Sequence, residues 1–342
     1  MAKVVKFGNV TIGEGHKPPV IAEAGINHNG DFDKAKALVV EAAECGAEII
    51  KFQAHLAEHE MLRGGFTAEY VGEPLFDLID RCSLKKEEFI ELQKLANDHD
   101  IQFLATPFSR EAADMLEELN VNAFKIGSGE VTNIPLMKHI ARKKKPMLVS
   151  TGMTLFDEVA ETLEAILPIN PNVVLFHCTS TYPTRFEDVR LHAIGQLNKR
   201  FGLPVGFSDH SPGVCAAVAS VALGAAVIEK HFTLDRSWPG PDQAGSLEPH
   251  ELRRLVEEVD AVFKSLKGKD EVLEEEVGVQ KMARESLVVI TSAKAGETLT
   301  EKNLWVKRPG TGIPSREYDS YIGKKLKKDM AANTLLAPGD VE

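Results

Sequence analysis

Short apolar runs alternate with amphipathic segments along most of this chain, and the alternation repeats eight times. The runs are VIAEAGINH (20–28), AEIIKFQ (47–53), IQFLATPF (101–108), AFKIGSGE (123–130), PMLVSTGM (146–153), VVLFHCTSTYP (173–183), PVGFSDH (204–210) and AAVIEKHF (225–232). Runs apolar at nearly consecutive positions predict strands buried on both faces, and the helical segments between them predict parallel pairing. DFDKAKALVVEAAECGA shows the helical type: an acidic start, an apolar stripe and a closing glycine. EPHELRRLVEEVDAVFKSL ends the series. Eight such units in succession predict a closed (β/α)8 barrel, an α/β fold, more than an open sheet. A long insertion near 55–80 follows the second strand and reads as a lid or a subunit contact.

The pattern changes past Gly268. KDEVLEEEVGVQ is acidic and reads as a linker with room for one short helix. From residue 283 the runs become short, alternating and broken by Gly, Pro, Asn and Asp, which predicts a compact, turn-rich β domain. The expected division is a catalytic barrel at 1–268, a linker at 269–282 and a small domain at 283–342. A domain so small is marginal alone, so it is expected to pack on a barrel, its own or a partner's. Its basic residues Lys307, Arg308, Lys324, Lys325, Lys327 and Lys328 read mostly as a solvated face.

Length supports this division. The chain has 342 residues, against roughly 250 for a barrel alone. Apolar residues make up 43% and charged residues 27%, ordinary for a globular protein with a sizeable core. The net charge of −11 argues against nucleic-acid and anionic-membrane partners. There is no run of about 18 apolar residues, and MAKVVKFGNV lacks the apolar core of a secretory signal, so a cytoplasmic location is expected. The four cysteines, Cys45, Cys82, Cys178 and Cys215, form no CxxC pair and read as buried small hydrophobes.

Costly polar residues gather at the ends of the strand candidates. Glu23, Asn27, His28, Lys51, Gln53, Thr106, Lys125, Ser128, Glu130, Ser150, Thr151, Tyr182, Ser208, His210, Glu229 and His231 all fall in the last half of a run or just after it. In a (β/α)8 barrel those ends converge on the face where such enzymes do chemistry. His210 and His231 end the seventh and eighth runs, and adjacent strands lie about 4.8 Å apart, so two imidazoles there can share one divalent cation. A general base beside a phosphate donor, or two structural histidines, fits the same spacing. Lys51, Lys125, Thr106, Ser128, Ser150 and Ser208 supply cations and hydroxyls, and KIGSG and STGM add backbone amides, which together imply a phosphate or carboxylate ligand. No nucleotide fingerprint accompanies them. A lysine on a barrel strand also suits Schiff-base chemistry. Glu23, Glu130 and Glu229 can act as general acid or base, orient hydroxyls, or merely pair with Lys51, Lys125 or Lys230.

Taken together, IAEAGINHNG, IIKFQ, TPFS, KIGSGE, STGM, HCTSTYPT, GFSDH, EKHFTLDRSWPGPDQAGSLEP and LWVKRPG resemble the sialic acid synthase family, in order and through nearly the whole chain. The resemblance implies a barrel followed by an antifreeze-like (SAF) domain, in a domain-swapped homodimer. It implies a transferase that condenses phosphoenolpyruvate with N-acetylmannosamine and releases phosphate by C–O cleavage. By position, His210 and His231 match ligands of a divalent metal, usually manganese, which activates the sugar aldehyde. Lys51, Thr106, Lys125, Ser128, Ser150 and Ser208 match the phosphoenolpyruvate pocket.

Glu23, Gln53, Tyr182 and Asp242 match positions that hold the sugar or steer its protons, and Glu130 and Glu229 match polar supports. Arg308 matches an arginine that the partner's SAF domain lays over the acetamido group. One departure stands out: Ser180 occupies a place near the sugar where some bacterial members have asparagine. It leaves open a legionaminic or pseudaminic acid synthase acting on a diacetamido sugar, or the variant that takes the 6-phosphorylated sugar.

Overall fold

The computed structural model describes residues 4–64, 67 and 73–342, and the chain divides into two compact units, Met1–Leu266 and Lys267–Glu342. Eight strands build the first unit: β1 (Val20–Gly25), β2 (Ile49–Ala54), β3 (Gln102–Pro107), β4 (Phe124–Ile126), β5 (Met147–Ser150), β6 (Val173–Cys178), β7 (Val205–Asp209) and β8 (Ile228–His231). All ladders are parallel, in the order β3-β2-β1-β8-β7-β6-β5-β4. The two outer strands of that order, β3 and β4, lie against each other, so the sheet is a nearly closed barrel, as predicted. Strands end sooner than the apolar runs suggest: β4 stops at Ile126 and β6 at Cys178, and the rest of each run forms the loops of the mouth.

A helix follows each strand: α1 (Phe32–Glu44), α2 (Lys86–Asp98), α3 (Arg110–Glu118), α4 (Ile134–Arg142), α5 (Phe156–Ile166), α6 (Ala193–Phe201), α7 (Cys215–Ala222) and α8 (Pro249–Ser265). The Asp31 side chain caps α1 by accepting the amides of Asp33 and Lys34, which satisfies donors that the first turn leaves free. Gly46, with φ +84, ends the same segment in the left-handed region.

Two apolar layers sandwich the strands. Outward side chains such as Ala22, Phe52, Phe103, Val149 and Phe207 pack under the helices. Inward ones, Ile21, Ile49, Leu104, Leu148, Val174, Phe176 and Val227, fill the bottom of the barrel. Burial on both sides explains runs that are apolar throughout rather than alternating. Gly206 lies inside: a Cβ there would sit 2.8 Å from the Val227 carbonyl and 2.9 Å from the Phe176 ring, so this position has no room for a side chain.

A hairpin absent from the sequence-based prediction closes the bottom. Val5–Phe7 and Val10–Ile12 pair antiparallel, and Val5, Phe7, Val10 and Ile12 join the inward layer. Gly8-Asn9 between alternating apolar residues was the available signal. The insertion after β2 forms helical turns at Ala57–Glu60 and Leu75–Cys82, where Ala57, Phe76, Leu78 and Ile79 pack on Ile26. Its residues 65, 66 and 68–72 lie outside the described residues. Among the cysteines one expectation fails: Cys45, Cys82 and Cys178 are buried, but Cys215 is exposed, because it opens α7 where the first turn faces solvent.

The acidic segment expected as a linker with room for one short helix carries α9 (Glu274–Ala283) and falls within the second unit. There β9 (Ser286–Val289) is the central strand between β10 (Leu304–Lys307) and β11 (Thr334–Leu335), all antiparallel. Leu287, Val289, Leu299, Leu304, Tyr321, Leu326 and Leu336 form its separate core. Among the described residues no helix is long and apolar enough to cross a membrane.

Candidate active site

Side chains alternate across a strand, so each inward apolar residue is followed two positions later by another inward residue. In this barrel the second inward layer is polar. Ile21 is succeeded by Glu23, Ile49 by Lys51 and Gln53, Leu104 by Thr106, Leu148 by Ser150 and Val227 by Glu229 and His231. Register sets the neighbours: Glu23 lies opposite His231 on one side and Lys51 on the other, Glu229 opposite Ser208, and Gln53 opposite Thr106.

Four buried charges form the floor of the mouth. Lys51 Nζ lies 2.7 Å from Glu23 Oε2 and 3.8 Å from Glu229 Oε2, and Lys125 Nζ lies 3.7 Å from Glu229 Oε1. Lys51 donates to Thr106 Oγ1 at 3.2 Å, Lys125 to Ser150 Oγ at 2.5 Å, and Ser208 Oγ to Glu229 Oε1 at 2.9 Å. The relative exposures of Lys51, Lys125, Glu23 and Glu229 are 4%, 2%, 2% and 5%, so water screens these charges weakly. Burial opposes the charge of Lys51, yet Glu229 and Glu23 together push its pKa above the ordinary value. Burial lowers Lys125, and Glu229 compensates only in part. Burial would raise Glu229, but Lys125, Lys51 and Ser208 hold it down at about 2. Lys125 is thus a buried cation short of negative charge, and Glu229 Oε2 receives no hydrogen bond among the described residues. Lys125 invites an anionic group, and Glu229 Oε2 invites a hydrogen-bond donor.

Hydroxyls ring this floor. The Gly152 amide donates to Ser128 Oγ at 3.0 Å, and a Cβ at Gly152 would lie 2.3 Å from Ser180 Oγ and 2.8 Å from Ser128 Oγ. Glycine is therefore required where the loops after β4, β5 and β6 converge. Glu130 is not brought into the charged cluster. It accepts from Asn133 Nδ2 at 2.8 Å, beside the N-terminus of α4. Lys230 likewise points outward, to Asp209 Oδ2 at 3.1 Å and the Ser211 carbonyl at 2.5 Å, and pairs with none of the three glutamates.

The two histidines stand above the floor with ring centroids 5.3 Å apart. His210 Nδ1 donates to the Thr179 carbonyl at 2.9 Å, which leaves Nε2 as the free lone pair. Burial lowers the His231 pKa and His210 beside it adds to the effect, against the pull of Asp242, so this ring is neutral. Its buried Nδ1 has no hydrogen-bond partner among the described residues, and Asp242 Oδ2 is 3.8 Å away. The Tyr182 ring lies 4.1 Å from that of His210 and 5.8 Å, edge on, from that of His231. Asn27 holds the loop that carries Asp242: its Nδ2 donates to the Phe232 carbonyl at 2.8 Å and to Ser246 Oγ at 2.9 Å, and Ser246 Oγ donates to the Asp242 carbonyl at 2.7 Å.

The donor set fits a divalent metal. Two imidazoles at this spacing, one with its tautomer fixed and the other with an orphaned buried nitrogen, suit a borderline cation such as Mn, Fe, Co or Zn, with other positions open to ligands. The cluster of three donors among the described residues, Glu248, His250 and Glu251, lies at the start of α8, where Arg236 already pairs with both glutamates. His210 is pushed both ways: burial lowers its pKa, whereas Cys178 Sγ at 3.9 Å and the Thr179 carbonyl raise it, with a net rise. A cation on this ring therefore competes with a proton.

Sequence reasoning missed one component. His55 follows Gln53 by two positions and so shares its inward face. Its Nε2 lies 2.8 Å from Gln53 Oε1 and its Nδ1 2.8 Å from Glu60 Oε1. Gln53 Nε2 in turn donates to Glu23 Oε1 at 3.1 Å. The period of two along FQAH was the signal that could have found it. Arg308, in the second unit, is exposed after β10 and pairs with no described carboxylate. A cleft of about 570 Å³ lined by His16, Lys17, Glu48 and His99 shares no residue with the charged cluster.

Two buried lysines, two buried carboxylates and a histidine pair thus converge at one mouth of the barrel, an arrangement suited to an anionic ligand beside a divalent cation. Residues 38–271 match the NeuB family and residues 284–342 the SAF domain, and the chain belongs to the NeuB family. It is similar to the N,N'-diacetyllegionaminic acid synthase of Legionella pneumophila, with 37% identity over 329 residues covering 93% of this chain and 92% of that protein. It is also similar to the N-acetylneuraminate-9-phosphate synthase of Mus musculus, with 36% identity covering 92% and 90%. Among solved structures, the N-acetylneuraminic acid synthetase of Leptospira borgpetersenii in complex with citrate superposes with a TM-score of 0.74 at 35% identity, covering 82% of this chain and 95% of that one.

Proposed function

We propose that this protein condenses phosphoenolpyruvate with the open-chain aldehyde of a 2-acetamido sugar to give a nine-carbon 2-keto acid and phosphate. The sugar proposed first is N-acetylmannosamine, which makes the product N-acetylneuraminate. The observation that carries this reading is the charged floor, with Lys125 undercompensated, lying at the same mouth as the histidine pair.

Lys51 and Lys125, with the hydroxyls of Thr106, Ser128, Ser150 and Ser208, hold the phosphate and carboxylate of phosphoenolpyruvate. His210 and His231 would hold a divalent metal, proposed to be Mn2+, which would supply Lewis-acid polarisation of the aldehyde oxygen. C3 of phosphoenolpyruvate forms the new C–C bond to the aldehyde carbon, and the aldehyde oxygen gains a proton. Water adds at C2 and loses a proton. The C2–O bond to phosphate then breaks as the C2 hydroxyl gives up its proton to the departing phosphate and becomes the ketone. Glu229, held at about 2 by its two lysines, remains a carboxylate throughout and anchors the lysines. Proton transfer falls to Glu23, which shares its charge with Lys51. Gln53, Tyr182 and Asp242 hold the sugar. Arg308 reaches its acetamido group from the partner's second unit in a domain-swapped homodimer, and the reaction is placed in the cytoplasm.

A second sugar is favoured by one residue. Ser180, which stands against Gly152, is a short side chain at a position near the sugar, and a short side chain there would suit a second acetamido group, as in a 2,4-diacetamido substrate. Phosphate release should require phosphoenolpyruvate, metal and sugar together. A panel of N-acetylmannosamine, its 6-phosphate and 2,4-diacetamido sugars, with mass spectrometry of the product, separates the readings. Release of no phosphate with any of them defeats the proposal.

A further inference from the structure

His55 and Glu60 are buried, with side-chain exposures of 6% and 4%, and they have no part in the chemistry above. Their contacts nevertheless lead into it. The Gln53 amide has one acceptor and two donor hydrogens. Its Nε2 faces Glu23 Oε1, and an ionised carboxylate oxygen only accepts, so Gln53 Oε1 must face His55. An acceptor at 2.8 Å requires His55 Nε2 to carry a proton. At the other ring nitrogen, Glu60 Oε1 at 2.8 Å shares the remaining proton with Nδ1. Whether the pair is imidazolium with carboxylate or imidazole with carboxylic acid, Nε2 remains a donor. The two ends of the chain thereby select one orientation of the amide.

Packing removes the alternatives. The His55 ring stacks on Phe108 with centroids 4.2 Å apart and planes at 11°, so it cannot swing away. Gly25, at φ +52, keeps the space between Gln53 and Glu23 free, since a Cβ there would lie 3.3 Å from both Gln53 Nε2 and Glu23 Oε1. Were the amide reversed, its carbonyl would face the Glu23 carboxylate, replacing a hydrogen bond by the repulsion of two acceptors.

We infer that His55, backed by Glu60, is a positioning residue that locks the Gln53 amide and through it aims Glu23 at the sugar side of the mouth. The inference rests on the synthase reading for its kinetic consequence, but not for its geometric one. His55→Phe keeps the stack on Phe108 and removes the donor. It should lower kcat/KM for the sugar roughly 10- to 100-fold, the range seen when an orienting partner is lost, and leave the KM for phosphoenolpyruvate unchanged. In a Gln53→Ala background the same substitution should have little further effect, because both act through one link. Additive losses, or equal rises in both KM values, overturn the inference.

Glu60 gives a second route that spares the ring. Glu60→Gln can donate to Nδ1 and preserve the Nε2 proton, so it should retain most activity, whereas Glu60→Leu frees the tautomer and should behave like His55→Phe. Equal losses in the two count against it. A crystal structure of His55→Phe provides a readout independent of turnover: the Gln53 amide should move away from Glu23. An undisturbed Gln53–Glu23 contact overturns the inference even in an active synthase. A wild-type protein that releases no phosphate defeats the synthase reading while leaving this structural test intact.

Discussion

Replacing Glu229 by glutamine tests the charged floor most directly. The amide keeps an acceptor for Ser208 and nearly the same volume, so the change is mainly one of charge. Glu229 lies 3.8 Å from Lys51 Nζ and 3.7 Å from Lys125 Nζ. At an effective dielectric near 20 each such pair is worth about 4 kcal/mol, and the desolvation of the ions returns much of that. Removing one partner of a buried pair typically costs about 3–5 kcal/mol. The drop in the Glu229 pKa from 4.5 to about 2 leads to a similar figure, on the order of 3 kcal/mol. A barrel of this size loses roughly 2–4 °C of Tm per kcal/mol, so a fall on the order of 10 °C is expected by differential scanning calorimetry.

The sign with pH follows from the same shift. A carboxylate whose folded pKa is depressed contributes stability above its unfolded value and loses it as pH falls through the folded one. The wild-type advantage should be complete above about pH 4.5 and disappear toward pH 2. Phosphoenolpyruvate, an anion of several charges, should stabilise Glu229→Gln more than the wild type, because it meets Lys125 without its carboxylate partner and Lys51 with Glu23 alone. A variant with unchanged Tm, or one that gains no more from phosphoenolpyruvate than the wild type, would refute the view that Glu229 is the carboxylate that bridges both lysines.

Three further outcomes are expected. Arg308→Ala should raise the KM for the sugar far more than that for phosphoenolpyruvate, and mixing it with His210→Ala should recover activity if sites are shared across a dimer; no recovery after proven subunit exchange counts against sharing. Mn2+ affinity measured by calorimetry should be abolished in His231→Ala and should weaken in the wild type as pH falls, because the raised pKa of His210 lets a proton displace the cation; an affinity flat from pH 8 to 6 opposes this. Gly206→Ala should destabilise the barrel by about 1–3 kcal/mol through overpacking, since the Val227 carbonyl 2.8 Å from the new Cβ belongs to the neighbouring backbone; an unchanged urea midpoint argues against that close approach.

Eight strands and their helices were legible because a strand buried on both faces has to be apolar throughout, and the segments between those runs carry the helical period. The hairpin at Val5–Ile12 was not. Three-residue strands leave almost no periodic signal, and their burial depends on a barrel bottom that exists only after the distant strands close. Among the site residues, Lys51, Lys125, Glu23 and Glu229 were conspicuous because charges at strand ends are costly unless they meet. Their partners were harder to assign. Which carboxylate faces which lysine depends on register, and Glu229, not the nearer-in-sequence Glu130, bridges the two lysines. Glu130 stands past the end of β4, where the chain has left the strand and the period of two no longer points it inward.

The same period explains how one strand serves two levels of the site. On β2, Ile49 belongs to the apolar bottom, Lys51 to the charged floor and Gln53 to the layer above, and His55 just beyond the strand supports that layer from the side. Successive inward residues rise about 6–7 Å at each step, so β2 spans from the core to the rim in four positions. Charge decreases along that rise, from lysine to a neutral amide to a histidine that shares one proton with Glu60. An anion bound low is thereby held by fixed cations, while a polyhydroxylated ligand above it meets oriented dipoles. That gradient would favour phosphoenolpyruvate binding first and the sugar second, and product-inhibition patterns showing the sugar bound productively without phosphoenolpyruvate would contradict it.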